Sequence, residues 1–352
     1  MIKAGLIGYG YWGANLLRNL VASRLFELVA VADQSDRQQA ALRRQPSVTA
    51  MAAAEALIAL PQVEAVVIAT PLTTHYEFTQ LALRAGKHVL VEKPMCGSST
   101  EAEHLVELAR SRRRVLMVDH TFLFTGAVQE IHRRIGEADL GRLAYIDATR
   151  VNLGPFAHGV NVLWDLGPHD LSIVDRLLGE EPLYIEASGH CQFDPGQADL
   201  FYLTLHYPSG IVCHVNLGWI SPVKVRRFTI GGSAKTLVWD DLRRDEKLKI
   251  YDPSIKPQED RTALMSEDRI GDVFSPRLST REALAGVIEH FGMVILRREE
   301  SIMDGLRGLR IVRILETAQR ALDQSLANAR AARDWNRISA VEWRSNPRGS
   351  VR

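Results

Sequence analysis

IKAGLIGYGYWGAN, residues 2–15, is the stretch that decides the fold. An apolar run, Ile2–Ile7, ends in Gly8, Gly10 and Gly13, spaced as G-x-G-x-x-G, and a helical pattern carrying Leu16, Leu17 and Leu20 follows. A second apolar run, Leu28–Ala32, ends in Asp33, twenty residues past Gly13. The glycines alone are a weak signal, and the competing reading is a tight strand–helix turn with no ligand. A strand before them, a helix after them and an acid ending the next strand together indicate a dinucleotide-binding turn. The first glycine permits the tight turn, the second lets the backbone approach a pyrophosphate, and the third packs helix on strand. Free N–H groups at the helix start then face the phosphates. The cofactor set is therefore Gly8, Gly10, Tyr11, Trp12, Gly13 and Asp33. Asp33 suits the ribose hydroxyls of NAD and repels the extra phosphate of NADP. No arginine follows directly (Gln34, Ser35, Asp36), although Arg37 comes four residues on.

The same alternation continues outward. Ala65–Ala69, His88–Val91 and Val115–Val118 read as short buried strands. Arg37–Arg43, Ala50–Leu60, His75–Ala85 and Thr100–Arg112 read as helices between them. Continuous apolar strands separated by amphipathic helices predict a doubly wound parallel sheet over residues 1–122. The rhythm then changes. Ala127–Arg134 is predicted as a helix, and from Arg142 the strands lengthen and alternate. Leu200–Tyr207 and Ile211–Trp219 flank Pro208-Ser209-Gly210; Lys224–Ile230 and Lys235–Asp240 flank Gly231-Gly232-Ser233. Both are hairpin signals. Leu183–Phe193 and Lys247–Tyr251 add strands, and Arg281–Arg297 and Leu306–Ala329 have helical period. Residues 123–330 are thus expected to form a substrate-binding and oligomerisation domain of α/β type, built on a mostly antiparallel sheet. Residues 331–352 read as a basic, mobile tail.

Composition narrows the function. The chain has 352 residues, enough for two domains, and its 43 Lys+Arg balance 42 Asp+Glu. A formal charge of +1 argues against nucleic-acid binding by bulk electrostatics. Residues 331–352 contain five Arg and two acids and so carry +3, leaving the body slightly acidic. Cys96, Cys191 and Cys213 have no disulfide or metal spacing, which fits a reducing, cytoplasmic setting without a metal centre. Ala65–Ala69 is too short to span a membrane, and the N-terminus lacks the apolar core of a signal peptide.

Two further segments carry chemistry. Glu92-Lys93-Pro94 ends a parallel strand, at the sheet edge where such folds bind ligands. A lysine there can hydrogen-bond a substrate hydroxyl and favour the developing alkoxide. Proline restricts the peptide before it and permits a cis bond. In Trp164-Asp165-Leu166-Gly167-Pro168-His169-Asp170, the proline places the helix start near Gly167, with His169 in the first turn. Histidine is the side chain suited to taking a proton near neutral pH. Asp165, four residues before it, can orient the imidazole. On spacing alone, a surface lysine, a helix-start acid and a packing histidine remain competing readings.

Taken in order, Gly8–Gly13 with Asp33, Glu92-Lys93-Pro94 and Asp165-x-x-x-His169 resemble the Gfo/Idh/MocA oxidoreductases, named for glucose–fructose oxidoreductase and inositol dehydrogenase. Ala69-Thr70-Pro71 with His75, and Ala85-Gly86-Lys87-His88-Val89, share the resemblance, which spans roughly residues 1–325. It implies a Rossmann domain followed by an α/β domain whose large sheet commonly joins copies into homodimers or homotetramers. It also implies NAD(P)-dependent oxidation of a secondary alcohol on a sugar, cyclitol or nucleotide-linked sugar. Lys93, Asp165 and His169 then match the catalytic positions, and Thr70, Pro71, His75, Glu92 and Lys93 join the cofactor set. Substrate contacts fall to Lys93, His169, Asn152 and Asn161, with His158 in the same stretch. After Val115–Val118 this chain has Asp119-His120-Thr121-Phe122 in place of the Arg-aromatic-x-Pro pattern of many members. Three rivals share the fold: a glycosidase using transient oxidation, a cofactor-sensing regulator without catalysis, and a reductase of imines or ketones working in the opposite direction with NADPH, which cofactor preference separates. Aglycone release without net NADH distinguishes the first; tolerance of losing Lys93 and His169 distinguishes the second.

Overall fold

Six parallel strands alternate with helices in the first 120 residues of the computed structural model, which describes residues 1–42, 48–154, 159–193, 196–252 and 271–345. They are β1 (Ile2–Ile7), β2 (Phe26–Ala32), β3 (Thr49–Met51), β4 (Ala65–Ile68), β5 (His88–Glu92) and β6 (Leu116–Asp119), in sheet order 3-2-1-4-5-6. The helices are α1 (Tyr11–Ala22), α2 (Asp36–Leu42), α3 (Ala54–Ile58), α4 (His75–Arg84) and α5 (Ser99–Arg112). Strand order reverses between β1 and β4, which opens the crevice where such sheets bind ligands. Ala50–Leu60 is not one helix. Its first residues form edge strand β3, paired to β2 from Ala30↔Thr49 to Ala32↔Met51, and α3 follows. Pairing along the edge satisfies backbone groups that a short alanine-rich helix would leave frayed.

Beyond α6 (Gly126–Gly136), the chain builds a second sheet of eight strands. These are β7 (Leu143–Leu153), β8 (Tyr184–His190), β9 (Leu200–His206), β10 (Val212–Gly218), β11 (Ile220–Gly232), β12 (Thr236–Asp240), β13 (Leu248–Tyr251) and β14 (Val273–Phe274), with helix α7 (Val162–Leu178) inserted after β7. The order is 14-13-12-11-7-10-9-8; β7 and β10 run parallel and the other pairs antiparallel. Both expected hairpins form, β9 with β10 and β11 with β12. The sheet is buried on one face, through Ile146, Ala148, Phe228 and Ile230, and open on the other.

The last helices, α8 (Ala283–Ile295) and α9 (Gly305–Ser345), return to the first domain. Leu309 and Val312 of α9 join the apolar cluster containing Val89, Val91 and Val118, and Arg18 of α1 pairs with Glu282 before α8. Segment 123–330 therefore supplies helices to both sheets, because α9 is apolar enough to cover the flank of β6. α9 also clamps the seam: Glu316 accepts from Ser99 N (2.8 Å) and Ser99 Oγ (2.6 Å), while Arg307 and Arg310 pair with Asp175 of α7. The helix expected over 306–329 continues to Ser345, through the first part of the basic tail. No helix among the described residues is long and apolar enough to cross a membrane.

Candidate active site

The glycine turn has the form the spacing implies. Gly8 has φ +92, and a Cβ there would lie 2.5 Å from the Ala69 carbonyl oxygen, so only glycine fits. A Cβ on Gly13 would collide with the Gly8 carbonyl oxygen, whereas one on Gly10 would meet nothing within 4 Å. The open side at Gly10 is where a diphosphate can approach. Gly10 caps α1 without a side-chain bond, and the first turn carries no acid, so its N–H groups are free for an anion. Tyr11 and Trp12 stand exposed beside this turn with their rings edge to face, centroids 5.5 Å apart. Gly13→Ala is expected to push the turn off α1 and weaken NADH binding by at least about tenfold, or about 1.4 kcal/mol. Fluorescence titration with NADH measures it, and an unchanged Kd would count against this turn as the cradle.

A cleft of about 490 Å³ extends from Gly8 and Gly10 to Asp33 and Glu55 at one end and Thr70 and Pro71 at the other. The Asp33 carboxylate is held in place by two backbone donors, Tyr9 N (2.7 Å) and Ser35 N (2.8 Å). Each oxygen keeps lone-pair capacity for ribose hydroxyls. Open space at Gly10, an uncapped helix start and a fixed carboxylate one strand over together fit a dinucleotide.

His75 is 2% exposed and lies beneath the cleft. Its Nδ1 meets the Pro94 carbonyl and its Nε2 the Thr70 carbonyl, both at 2.8 Å. It therefore ties the turn after β4 to the cis Lys93–Pro94 peptide and supports the cofactor pocket from below. Glu92 also lies beneath the site. Strands β5 and β6 pair Glu92 with Asp119, which brings a half-buried carboxyl beside a buried one. Burial and the Asp119 carboxylate push Glu92 well up; burial pushes Asp119 up to about 6, against a 2.6 Å bond from Thr121 Oγ1. Like charges this close do not both ionise, so the pair retains a proton near neutral pH.

Lys93 reaches across to the second domain. Its Nζ donates to the Asp165 carbonyl oxygen at 2.7 Å and to Asp165 Oδ1 at 3.3 Å. The geometry arises from α7, which begins at Val162 rather than near Gly167. Asn161 caps it, accepting from Trp164 N at 3.2 Å, and Pro168 falls inside the helix. The cap and buried apolar contacts outweigh the proline's cost here. Lacking an N–H, Pro168 breaks the helical ladder at the Trp164 carbonyl, and in that loosened turn the next carbonyl, Asp165, accepts from the lysine. Asp165 and His169 share one helix face at i, i+4, yet the Asp165 carboxylate pairs with Lys93, not with the imidazole. His169 is partly accessible, with Nδ1 buried and without a protein partner. Burial first, then the charges of Lys93 and Arg150, hold it well below the ordinary histidine range, so it is a neutral base at pH 7.

Of the substrate candidates, Asn161 is 9% exposed and is used by the helix cap and by Gln319 Oε1 (2.5 Å). Asn152 lies on β7, two residues beyond Arg150, and is half-buried. His158 lies outside the described residues. Three residues that the sequence reading gave no role join the site. Arg150 donates to Asp170 Oδ1 through Nε (2.8 Å) and Nη2 (2.5 Å), and its guanidinium lies 4.4 Å from the Phe122 ring centroid. Phe122 in turn packs edge-on against His169 at 5.1 Å. His120, just past β6, is the third. An arginine in the buried register of Ile146 and Ala148 was the available signal for Arg150; for His120 and Phe122 it was their place directly after the buried strand ending at Val118. Among the described residues, no group of three or more His, Cys, Asp or Glu could hold a metal ion.

The chain is similar to known proteins along most of its length. A family profile described as an oxidoreductase family with an NAD-binding Rossmann fold matches residues 2–120, and a GFO/IDH/MocA C-terminal domain profile matches 128–238. The UDP-N-acetylglucosamine 3-dehydrogenase of Acidithiobacillus ferrooxidans is 27% identical over 314 residues, covering 88% of this chain and 94% of its own. Its structure superposes with a TM-score of 0.79 at 26% identity over 92% of this chain and 98% of that one. The uncharacterised oxidoreductase YdgJ of Escherichia coli is 30% identical over 274 residues, 74% of this chain and 77% of its own. The NADP(+)-dependent scyllo-inositol 2-dehydrogenase IolW of Bacillus subtilis is 25% identical over 339 residues, 90% and 92% of the two chains.

Proposed function

The chain belongs to the Gfo/Idh/MocA family of oxidoreductases, and on that premise we propose that it is an NAD-dependent dehydrogenase oxidising a secondary hydroxyl of a sugar, cyclitol or nucleotide-linked sugar. The observation that carries this reading is the convergence of Lys93, held by Asp165, with the neutral imidazole of His169 at the carboxyl edge of the parallel sheet. Lys93 donates to the substrate oxygen and stabilises its developing negative charge. His169 takes the hydroxyl proton. Asp165 fixes the direction of the ammonium. Bound in the cleft, the nicotinamide supplies the hydride acceptor. Asp33 and Glu55 place two carboxylates at the ribose end of that cleft, which supports NAD over NADP. Tyr145, Tyr184 and Tyr202, exposed on the open face of the second sheet, support assembly as a homodimer or homotetramer through that face.

The test is a panel of inositols, free sugars and UDP-sugars, including UDP-N-acetylglucosamine and scyllo-inositol, assayed with NAD and NADP by NADH or NADPH absorbance. Net NADH is expected with at least one member, with kcat/KM at least about tenfold higher for NAD, a preference of about 1.4 kcal/mol. No turnover in either direction, by a protein that still binds NADH, would refute the reading.

A further inference from the structure

Buried side-chain atoms without a partner are few among the described residues, and several gather at one place. They include both ring nitrogens of His120, Nδ1 of His169, one oxygen of Asp170 and the indole nitrogen of Trp239. Phe122 links all but His120, with its ring against those of His169 (5.1 Å) and Trp239 (6.4 Å) and beneath the Arg150 guanidinium that holds Asp170, while His120 lies close enough to His169 to act on its charge. Buried polar groups in folded proteins are normally satisfied, so such a cluster offers bonds that a bound molecule can complete.

His120 is the least satisfied of these groups. It is 2% exposed, and neither nitrogen has a hydrogen bond. Its position follows from strand register. Glu92 pairs with Asp119 at the ends of β5 and β6, so the next residues, Lys93 and His120, leave neighbouring strands at the same level, near enough for the Lys93 charge to act on the imidazole. Burial and the Lys93 charge hold its imidazole down to about 3, so it stays neutral. A neutral imidazole has one donor and one acceptor. A hydroxyl can donate as well as accept and so suits either nitrogen, whereas a phosphate or carboxylate oxygen could meet only the one that carries the proton.

We propose that His120 is a second substrate-binding imidazole, one that holds the hydroxyl on the carbon next to the one oxidised. The substrate is then a vicinal diol, with one oxygen on Lys93 and His169 and its neighbour on His120. The inference rests on the dehydrogenase reading above and narrows its substrate class.

The test compares a polyol that turns over in the panel with its analogue deoxygenated at the adjacent carbon, in wild type, His120→Leu and His120→Asn. Wild type should lose about 10²-fold or more in kcat/KM on the deoxy analogue, because the imidazole is then left unpaired. His120→Leu should lose a similar factor on the parent polyol but change little on the analogue. His120→Asn, which keeps a donor and an acceptor, should recover part of the parent activity. The same ratios should appear in equilibrium titrations of the two polyols into the NADH-loaded protein. Equal losses on both compounds in His120→Leu would mean a packing role and overturn the proposal, as would undiminished discrimination. Absence of turnover with every polyol by wild type is a different result; it removes the dehydrogenase reading and this inference with it.

Discussion

Lys93→Met is expected to lower kcat by about 10² to 10³-fold, the range for removing one positioned donor to a developing oxyanion. Methionine keeps the length of the side chain and removes only the ammonium. The substrate oxygen then loses the donor that strengthens as negative charge builds, so the deficit should appear in kcat more than in KM. Folding should survive. The Asp165 carboxylate is 31% exposed, so water can replace its 3.3 Å contact with Lys93. NADH affinity should also stay near wild type, because the glycine turn and Asp33 are untouched. Steady-state kinetics on the best panel substrate, with an NADH titration beside it, measures both. A kcat within about fivefold of wild type, a barrier change of only about 1 kcal/mol, would remove Lys93 from the chemistry.

The second large effect concerns stability. Arg150→Leu leaves the Asp170 carboxylate, with 1% of its side chain exposed, without its cation. Breaking such a buried pair from one side costs about 3 to 5 kcal/mol, because the remaining charge is neither solvated nor matched. For domains of this size that corresponds to a drop in Tm on the order of 10 °C. Asp170→Leu should cost a similar amount. The double variant, Arg150→Leu with Asp170→Leu, should recover most of the loss, since two apolar side chains replace two desolvated charges. Thermal denaturation of all four proteins completes the cycle. If the double variant falls by the sum of the singles, the two charges act independently and the pair is not the element holding α7 against β7. The site should suffer as well, because Asp170 follows His169 and Arg150 backs Phe122 against the same imidazole.

The candidate site was legible in unequal parts. The turn at Gly8, Gly10 and Gly13 was readable because each glycine answers a local demand: a positive φ, an open approach, a helix packed on a strand. Asp33 and Lys93 were readable because both end buried strands, and parallel sheets bind ligands at that edge. Asp165 and His169 share a helix face, as their spacing implies, but the carboxylate does not turn to the imidazole. The expected carboxylate–imidazole pair is a carboxylate–lysine pair, since the nearest cation comes from a different domain, 72 residues earlier in the chain. His75 and Glu92 belong to the site as supports below the cofactor cleft, and Asn161 belongs to a helix cap.

What the sequence by itself determined is everything governed by neighbours along the chain. It specified the alternation of strand and helix, the phosphate turn, both hairpins and the residue types at the ends of β2 and β5. Only the tertiary structure decided which side chains from distant segments meet. The Glu92–Asp119 carboxyl pair and the placing of His120 beside Lys93 follow from the register of β5 against β6. The Arg150–Asp170 pair and the hold of Asp165 on Lys93 follow from docking α7 against β7 and over the edge of the first sheet. Register and docking are set by summed burial across many residues. No local pattern encodes them, and a shift of one residue in a strand would turn its side chains to the opposite face.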